Sequence, residues 1–233
     1  MLIAFNFVAP TLNAQTLDEV LNEHFAATGA DVQAKSQTVT MTGAINQSGM
    51  EIPFKMVLAR PGKLRLEGTF QGLTFIQTYN GTEGWNLNPF GGSTEPEPIP
   101  ADQLSDLKEQ ADMDGMLYNY AAKGYQVSLE GTEEVEGTNC YKLKIIKPDT
   151  SEVVQFLDAD SYLLIKSTSK SKMMGVEVNS ETYFSNYLTV NGVAFAGKVE
   201  NRYNGVTGEV INLTKIEFDL PVDDAIFNKP VTN

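Results

Sequence analysis

The chain contains few of the side chains on which most catalytic and metal sites depend. Its 233 residues include a single cysteine, Cys140, and a single histidine, His24. One cysteine cannot form an internal disulfide, and protein zinc sites combine several His or Cys ligands. Neither a Gly-rich phosphate loop nor a G-x-S-x-G nucleophile motif occurs in the sequence. We therefore expect no metal, no cofactor and no enzymatic activity.

Positive charge and long apolar runs are also scarce. The chain carries 17 basic and 30 acidic residues, which gives a formal net charge of −13. Because no basic surface is available to neutralise phosphates, nucleic acid is not an expected partner. The apolar run at residues 1–14 is too short to span a bilayer.

The N-terminal run suits an exported protein. Small residues precede Gln15, as they do at signal-peptide cleavage sites. We interpret residues 1–14 as the remnant of a signal peptide and residues 15–233 as a single domain. Since no cysteine follows the cleavage point, we expect a soluble periplasmic protein without a lipid anchor. The alternative is that residues 1–14 form a buried N-terminal strand.

Strand patterns dominate the rest of the chain. Between residues 54 and 92, apolar and polar residues alternate in four short runs, separated by Pro61-Gly62, Gln71-Gly72 and Asn80-Gly81. Such alternation places side chains on the two faces of a strand, and Asn-Gly favours a tight type I′ hairpin turn. Similar patterns at 35–47, at 50–60 and after residue 124 predict a mainly β protein with an antiparallel meander.

Two segments have helical patterns. Residues 16–28 begin with Thr16 as a helix N-cap and Glu19 three positions later, which together form a capping box. Residues 101–122 have an apolar side that is interrupted at 112–115, so we predict two short helices there. The Pro-rich stretch 91–100 before them predicts an extended loop without regular structure. Helices attached to such a loop are typical of a lid over a cavity.

The first hairpins resemble a known family. The run ARPGKLRLE at 59–67, followed by QG at 71–72 and YNGTEGWNLNPFGG at 79–92, is similar to the outer-membrane lipoprotein-sorting protein family, the LolA/LolB-like carriers. The resemblance implies an incomplete antiparallel β-barrel of about eleven strands, with helices plugging the open side. It also implies a monomeric periplasmic carrier whose hydrophobic cavity takes the acyl chains of lipoproteins or lipids from an inner-membrane donor to an outer-membrane acceptor. The alternative is a lipid- or lipoprotein-sensing regulatory module of the RseB type.

Arg60 interrupts the apolar alternation of its strand. It follows Phe54, Met56 and Leu58 in register, and an unpaired guanidinium buried on that side would cost several kcal/mol, roughly. The resemblance implies that Arg60 gates the lid, because the family's arginine before proline holds the empty cavity shut through hydrogen bonds to lid-side backbone. The alternative is that the strand ends at Arg60 and the side chain bends out to water.

The candidate cavity residues follow from the same alternation and from the predicted lid. Alternation alone leaves open which face of the sheet is concave, because a shift of one residue moves a whole strand's side chains to the other face. The predicted lining is Phe54, Met56, Leu58, Leu66, Phe70, Phe75, Trp85, Met113, Met116 and Leu117.

Overall fold

The architecture is described from a computed structural model that covers residues 15–173 and 176–231. The predicted signal-peptide remnant at 1–14 lies outside these residues. Within the described ranges, every helix is too short or too polar to cross a membrane.

Fifteen strands account for most of the described chain, and every pair among them is antiparallel. In the first half they are β1 (Thr38–Gln47), β2 (Met50–Ala59), β3 (Lys63–Phe70), β4 (Leu73–Tyr79), β5 (Gly84–Leu87) and β6 (Glu97–Pro98). In the second half they are β7 (Gln126–Val135), β8 (Thr138–Ile146), β9 (Glu152–Asp158), β10 (Leu164–Met173), β11 (Val176–Ser185), β12 (Leu188–Val190), β13 (Val193–Phe195), β14 (Lys198–Tyr203) and β15 (Val206–Phe218).

Thirteen of these strands form one open sheet, in the order β6-β5-β4-β3-β2-β1-β15-β14-β11-β10-β9-β8-β7. The strands β12 and β13 pair separately with each other. Because β6 and β7 are opposite edges and do not pair, the sheet is an unclosed half-barrel, as the family resemblance implied. The sheet has more strands than the expected eleven or so.

Three α-helices accompany the sheet in the described part of the chain: α1 (Leu17–Thr28), α2 (Ala30–Gln33) and α3 (Leu104–Gln110). The capping box predicted for α1 is present, since the Thr16 hydroxyl accepts from the Glu19 backbone N–H while the Glu19 carboxylate accepts from the Thr16 backbone N–H. Gly29 ends α1 in the left-handed conformation, at φ 70°, which a glycine adopts without steric cost.

The chain crosses the open side of the half-barrel once, between its two edge strands. We call residues 99–125 the crossing segment, because they connect β6 at one edge to β7 at the other. The segment contains α3 and then a series of turns. It therefore occupies the position at which the sequence predicted a helical lid.

Residues directly opposite each other in antiparallel strands share a face, and this rule defines the two faces of the sheet. Leu58 lies opposite both Val39 and Leu64, and these three residues pack with Leu107 and Met113 of the crossing segment. The face that they occupy is the inner face. The opposite, outer face is covered near Val57 and Ala59 by Phe227 and its neighbours in the C-terminal 3₁₀ turn Asp224–Phe227.

Two apolar clusters lie on the inner face, one toward each edge of the sheet. The first cluster consists of Val39, Leu58, Leu64, Tyr79, Leu107, Ala111, Met113 and Ile216. The second cluster consists of Val20, Leu21, Leu117, Leu143, Ile145, Val153 and Leu157. The crossing segment contributes to both clusters, whereas α1 contributes to the second.

The structure corrects three local predictions. Residues 111–124 form turns instead of a second short helix, because Gly115 and Asn119 adopt positive φ values of 67° and 53° that interrupt a helical ladder. The Pro-rich stretch contains β6, which tolerates Pro98 because it is an edge strand whose missing N–H faces no further partner. The β4–β5 connection has four residues instead of a two-residue turn, since the Asn80 side chain accepts from the backbone N–H groups of Thr82 and Glu83.

Candidate functional site

The guanidinium of Arg60 fastens the crossing segment to the end of α2. Strand β2 ends at Ala59, yet the Arg60 side chain turns inward and not to water. Its Nε donates to the Ser36 carbonyl at 2.8 Å, and one terminal nitrogen donates to the Gln33 carbonyl at 3.2 Å. The two terminal nitrogens also donate to both carboxylate oxygens of Asp114, at 2.8 and 2.6 Å.

Arg60 and Asp114 form a salt bridge that is mostly buried. Their side chains are 24% and 15% exposed, respectively. The hydrogen bond to Asp114 raises the pKa of Arg60, and the same bond lowers the pKa of the Asp114 carboxyl although burial acts in the opposite direction. Bidentate arginine–carboxylate pairs of this kind are among the stronger and more directional polar contacts in proteins.

Further polar contacts hold the same part of the crossing segment. The Gln33 side-chain amide donates to the Met113 carbonyl. The Tyr118 hydroxyl donates to Asp31 at 2.9 Å. Residues of α2 thus exchange hydrogen bonds with the crossing segment, as acceptors and as donors, and Arg60 lies between the two elements.

The turn at 112–115 is closed from within the crossing segment. Lys123 donates to the Asp112 carboxylate and to the Gly115 carbonyl, and the Asp112 carboxylate also accepts from the backbone N–H of Asp114 at 3.0 Å. A third ion pair, between Lys147 after β8 and Glu109 of α3, has an N–O distance of 2.7 Å. The segment is therefore attached by charged groups along much of its length.

Six of the predicted cavity residues share the inner face. Cross-strand pairing places Met56 opposite Leu66, and it aligns Phe54 with Phe75 through Gly68. Leu58 is in the same set by alternation along β2, as is Phe70 along β3. Phe54 and Leu58 are buried, whereas the remaining four members are half-buried.

Trp85 lies on the outer face, and this corrects its assignment to the cavity. It is opposite Thr78, which is opposite Arg65 on the outer side, and the Lys229 ammonium lies 5.1 Å from the centre of its ring. Its neighbour Gly84 occupies the inner position instead. A side chain there would collide with Leu107, since an added Cβ would lie 2.6 Å from the Leu107 Cδ1.

The three predicted lid residues separate into the two clusters. Met113 is buried in the first cluster, Leu117 is buried in the second, and Met116 packs against the second. They do not line one common hollow. Met113 and Leu117 are buried against the sheet beneath the crossing segment, so an acyl chain could take their places only if these residues moved.

A strip of polar side chains lies on the inner face of β10, β11 and β14. Pairing across β10, β11 and β14 aligns Ser167 with Thr182 and Asn201, and Ser169 with Ser180. The Thr182 hydroxyl donates to the Asn201 side chain at 2.8 Å. The apolar surface expected along the concave face is thus interrupted by a polar strip. Beside that strip, strand pairing aligns an apolar row across the middle of the face: Phe184, Val199, Ile211, Ile45 and Ile52.

A cavity of about 580 Å³ lies beside the Arg60 network. Arg60 and Met113 line it, and other predicted site residues do not, as far as the described residues show. Sequence reasoning missed Asp114, Lys108, Lys123 and Lys147 as functional candidates. The signal for Asp114 was its position in the interruption of a predicted helix, where a carboxylate has no role in helix formation.

Comparison with known proteins identifies the fold. No family model matches the chain, and no curated protein sequence does. Among solved structures, a DUF1329 family protein from Desulfovibrio piger aligns with a TM-score of 0.61 at 19% identity, over 90% of this chain and 97% of that chain. A LolA superfamily protein from Nitrosomonas europaea aligns with a TM-score of 0.60 at 15% identity, over 93% and 99% of the two chains.

A third structure carries a related description. It is a proposed outer membrane lipoprotein-sorting protein domain from Vibrio parahaemolyticus, with a TM-score of 0.59 at 13% identity over 90% of this chain and 97% of that chain. Likeness at this level of identity concerns the fold. The chain thus has the fold of LolA-superfamily and lipoprotein-sorting domains, as the residues at 59–92 indicated.

Proposed function

We propose that this protein is a periplasmic carrier that binds the acyl chains of lipoproteins or lipids and delivers them towards the outer membrane. The bound chains would lie on the apolar parts of the inner face, beneath the crossing segment. In this proposal the protein acts as a monomer and catalyses no reaction. It receives its cargo from a donor at the inner membrane and passes it to an acceptor at the outer membrane.

The observation that carries the proposal is the way in which Arg60 holds the crossing segment over an apolar face. The segment is attached at both sheet edges, and between them its Asp114 is held by Arg60, which also donates to the carbonyls of Gln33 in α2 and of Ser36 after it. Polar contacts of this kind can be exchanged for water when the segment lifts. The same is not true of a lid held by apolar packing alone.

The energetics of cargo favour such an arrangement. Each buried CH₂ group contributes about 0.8 kcal/mol, so shielding one long acyl chain from water is worth on the order of 10 kcal/mol. A carrier that bound its cargo with all of this energy would not release it. In the closed form, Met113 and Leu117 occupy the inner face themselves, so closure competes with cargo and supports release.

The test is the variant Arg60→Leu, which removes the hydrogen bonds of Arg60 to Asp114, Gln33 and Ser36 and leaves an apolar side chain in its place. It is expected to bind acyl chains at least as well as the unmodified protein and to transfer them to acceptor vesicles about tenfold more slowly or worse, because the closed state has lost charge-assisted hydrogen bonds. Transfer is followed with a pyrene-labelled phospholipid, whose emission changes when it leaves the protein.

The matched control is Arg65→Leu. Arg65 lies one strand away on the outer face, where it bonds Glu67 and the Ile226 carbonyl and does not contact the crossing segment. Transfer by Arg60→Leu at the unmodified rate would remove the gating role of Arg60. Wild-type protein that binds the phospholipid but never transfers it would favour the sensing module instead of the carrier.

A further inference from the structure

The cavity beside Arg60 lies at the junction of the crossing segment with two turns of the sheet. Its walls come from the β2–β3 turn at Pro61 and Gly62, from α3, from residues 122–125 and from the β8–β9 turn at Pro148 and Asp149. Its volume of about 580 Å³ is within the range of small-molecule sites. Because the crossing segment forms one wall, an occupant would contact the element that the proposed function requires to move.

The charge of this cavity differs from the charge of the chain as a whole. Among the described residues, four of the 17 basic residues line it, against three of the 30 acidic residues. The basic residues are Arg60, Lys108, Lys123 and Lys147, and the acidic residues are Glu109, Asp112 and Asp149. In a chain with a net charge of −13, three lysines and Arg60 therefore meet at this one opening.

The lysines retain capacity to donate. Lys123 and Lys147 pair with Asp112 and Glu109, and an ammonium group has three donors. Lys108 is exposed at the mouth, and within residues 15–173 and 176–231 no carboxylate pairs with it. An anion in the cavity would therefore find one unpaired cation and two further ammonium groups.

The floor of the cavity is apolar. It is formed by Tyr79, Ala111 and Met113, which are buried members of the first cluster. The Tyr79 hydroxyl donates to the Gly81 carbonyl at 2.9 Å, so its polar end is already satisfied. Cations at the mouth and a buried apolar floor together form an amphipathic site.

From this arrangement we infer that the cavity binds the anionic head group of an acyl-chain ligand, a carboxylate or a phosphate, with Lys108, Lys123 and Lys147 as its cations. The first methylenes of the chain follow the floor past Met113 toward the inner face. The inference rests on the proposed carrier function and adds to it the chemical class of the cargo. A head group bound there would also lie next to the contacts that hold the crossing segment, because Arg60 and Asp112 line the same cavity.

The test compares two probes with one hydrocarbon chain. cis-Parinaric acid carries a carboxylate at pH 7.4, its methyl ester is neutral, and both fluoresce on entering an apolar site. The wild-type protein is expected to bind the acid about tenfold more tightly than the ester, as one charge-assisted hydrogen bond would produce. The preference is expected to weaken in high salt, since the mouth of the cavity is open to screening.

Lys108→Gln is expected to reduce the acid preference to about threefold or less, and Lys108→Glu to abolish it. Because Lys108 is exposed and unpaired, neither change disturbs the fold. Lys215→Gln, an exposed lysine of β15 whose strand position faces outward, is the control and keeps the full preference.

The outcomes separate this inference from the carrier function. Equal binding of acid and ester would overturn the head-group site and leave the carrier function standing. Binding of neither probe would overturn both. Binding of inorganic phosphate in a calorimetric titration, with no binding of either acyl probe, would assign the cavity to a free anion and overturn the inference.

Discussion

The helix α1 and the crossing segment both cover the inner face, but they are held there in different ways. α1 has twelve residues, a complete capping box and a glycine C-cap, so its backbone groups are satisfied within its own sequence. It buries Val20 and Leu21 almost completely. The crossing segment has a helix of only seven residues followed by turns, and its attachment depends on Arg60, Gln33 and Lys147 from elsewhere in the chain.

This difference indicates which part of the cover can move. A helix that satisfies its own backbone and packs through apolar side chains leaves the sheet only at the cost of exposing those side chains. The crossing segment also buries Leu107, Met113 and Leu117, but its polar partners can be exchanged for water at a smaller net cost, and an acyl chain on the inner face would replace its apolar contacts. We therefore treat α1 as part of the scaffold and the crossing segment as the element that opens.

The largest expected effect comes from matched truncations in the two elements. Leu21→Ala in α1 is expected to lower the free energy of unfolding by about 2–5 kcal/mol, as for other buried leucines. Leu107→Ala in the crossing segment removes an equally buried side chain but is expected to lower the free energy of unfolding less, because a segment that opens locally before the sheet unfolds contributes less to global unfolding. Urea denaturation of both variants measures this, and equal losses would mean that the two elements unfold together.

An intermediate effect is expected from Asp114→Asn, which removes the charge but keeps the shape. The closed form of the crossing segment is expected to lose about 1.5–3 kcal/mol, the usual value of hydrogen bonds to charged groups. Hydrogen exchange of amides 111–124 should accelerate while α1 stays protected. Asp106→Asn, an exposed carboxylate of α3, is the control, and similar acceleration in both variants would argue against a specific role for the pair with Arg60.

The smallest expected effect is a loss of stability of the closed crossing segment at acid pH. Because the bond to Arg60 lowers the pKa of Asp114 in the folded protein, this carboxylate contributes stability above its unfolded pKa of about 3.9. That contribution is lost as the pH falls from about 4 through the lower folded value. The difference in exchange between the unmodified protein and Asp114→Asn should be constant from pH 7 to 5 and shrink below pH 4; a constant difference down to pH 3 would exclude this linkage.

Local features of the sequence were sufficient for much of the fold. Thr16 and Glu19 specify the start of α1 because a capping box is a contact between residues three apart. Alternation specified β1 to β4 and the face shared by Phe54, Met56 and Leu58. The motif at 59–92 correctly indicated the half-barrel that the solved structures share.

The candidate site was less accessible from the sequence. Arg60 was singled out because it breaks a pattern, but its principal partner, Asp114, is 54 positions away, and no local pattern pairs them. Trp85 was assigned to the wrong face because its face depends on the pairing of Tyr79 with Gly84. The lysines of the cavity lie at three places in the sequence, in α3, in the turns before β7 and after β8, and each place has a pattern typical of ordinary surface.

The sequence by itself determined most of the strands, the first helix and their antiparallel arrangement, because hydrogen-bonded turns, caps and alternation are interactions between near neighbours. The open form of the sheet was implied by the resemblance at 59–92. The tertiary structure decided how the inner face is used: two apolar clusters, a polar strip across β10, β11 and β14, and a crossing segment fastened by one arginine. These depend on register and on side chains that meet only when the edge strands β6 and β7 are brought to opposite sides of the opening.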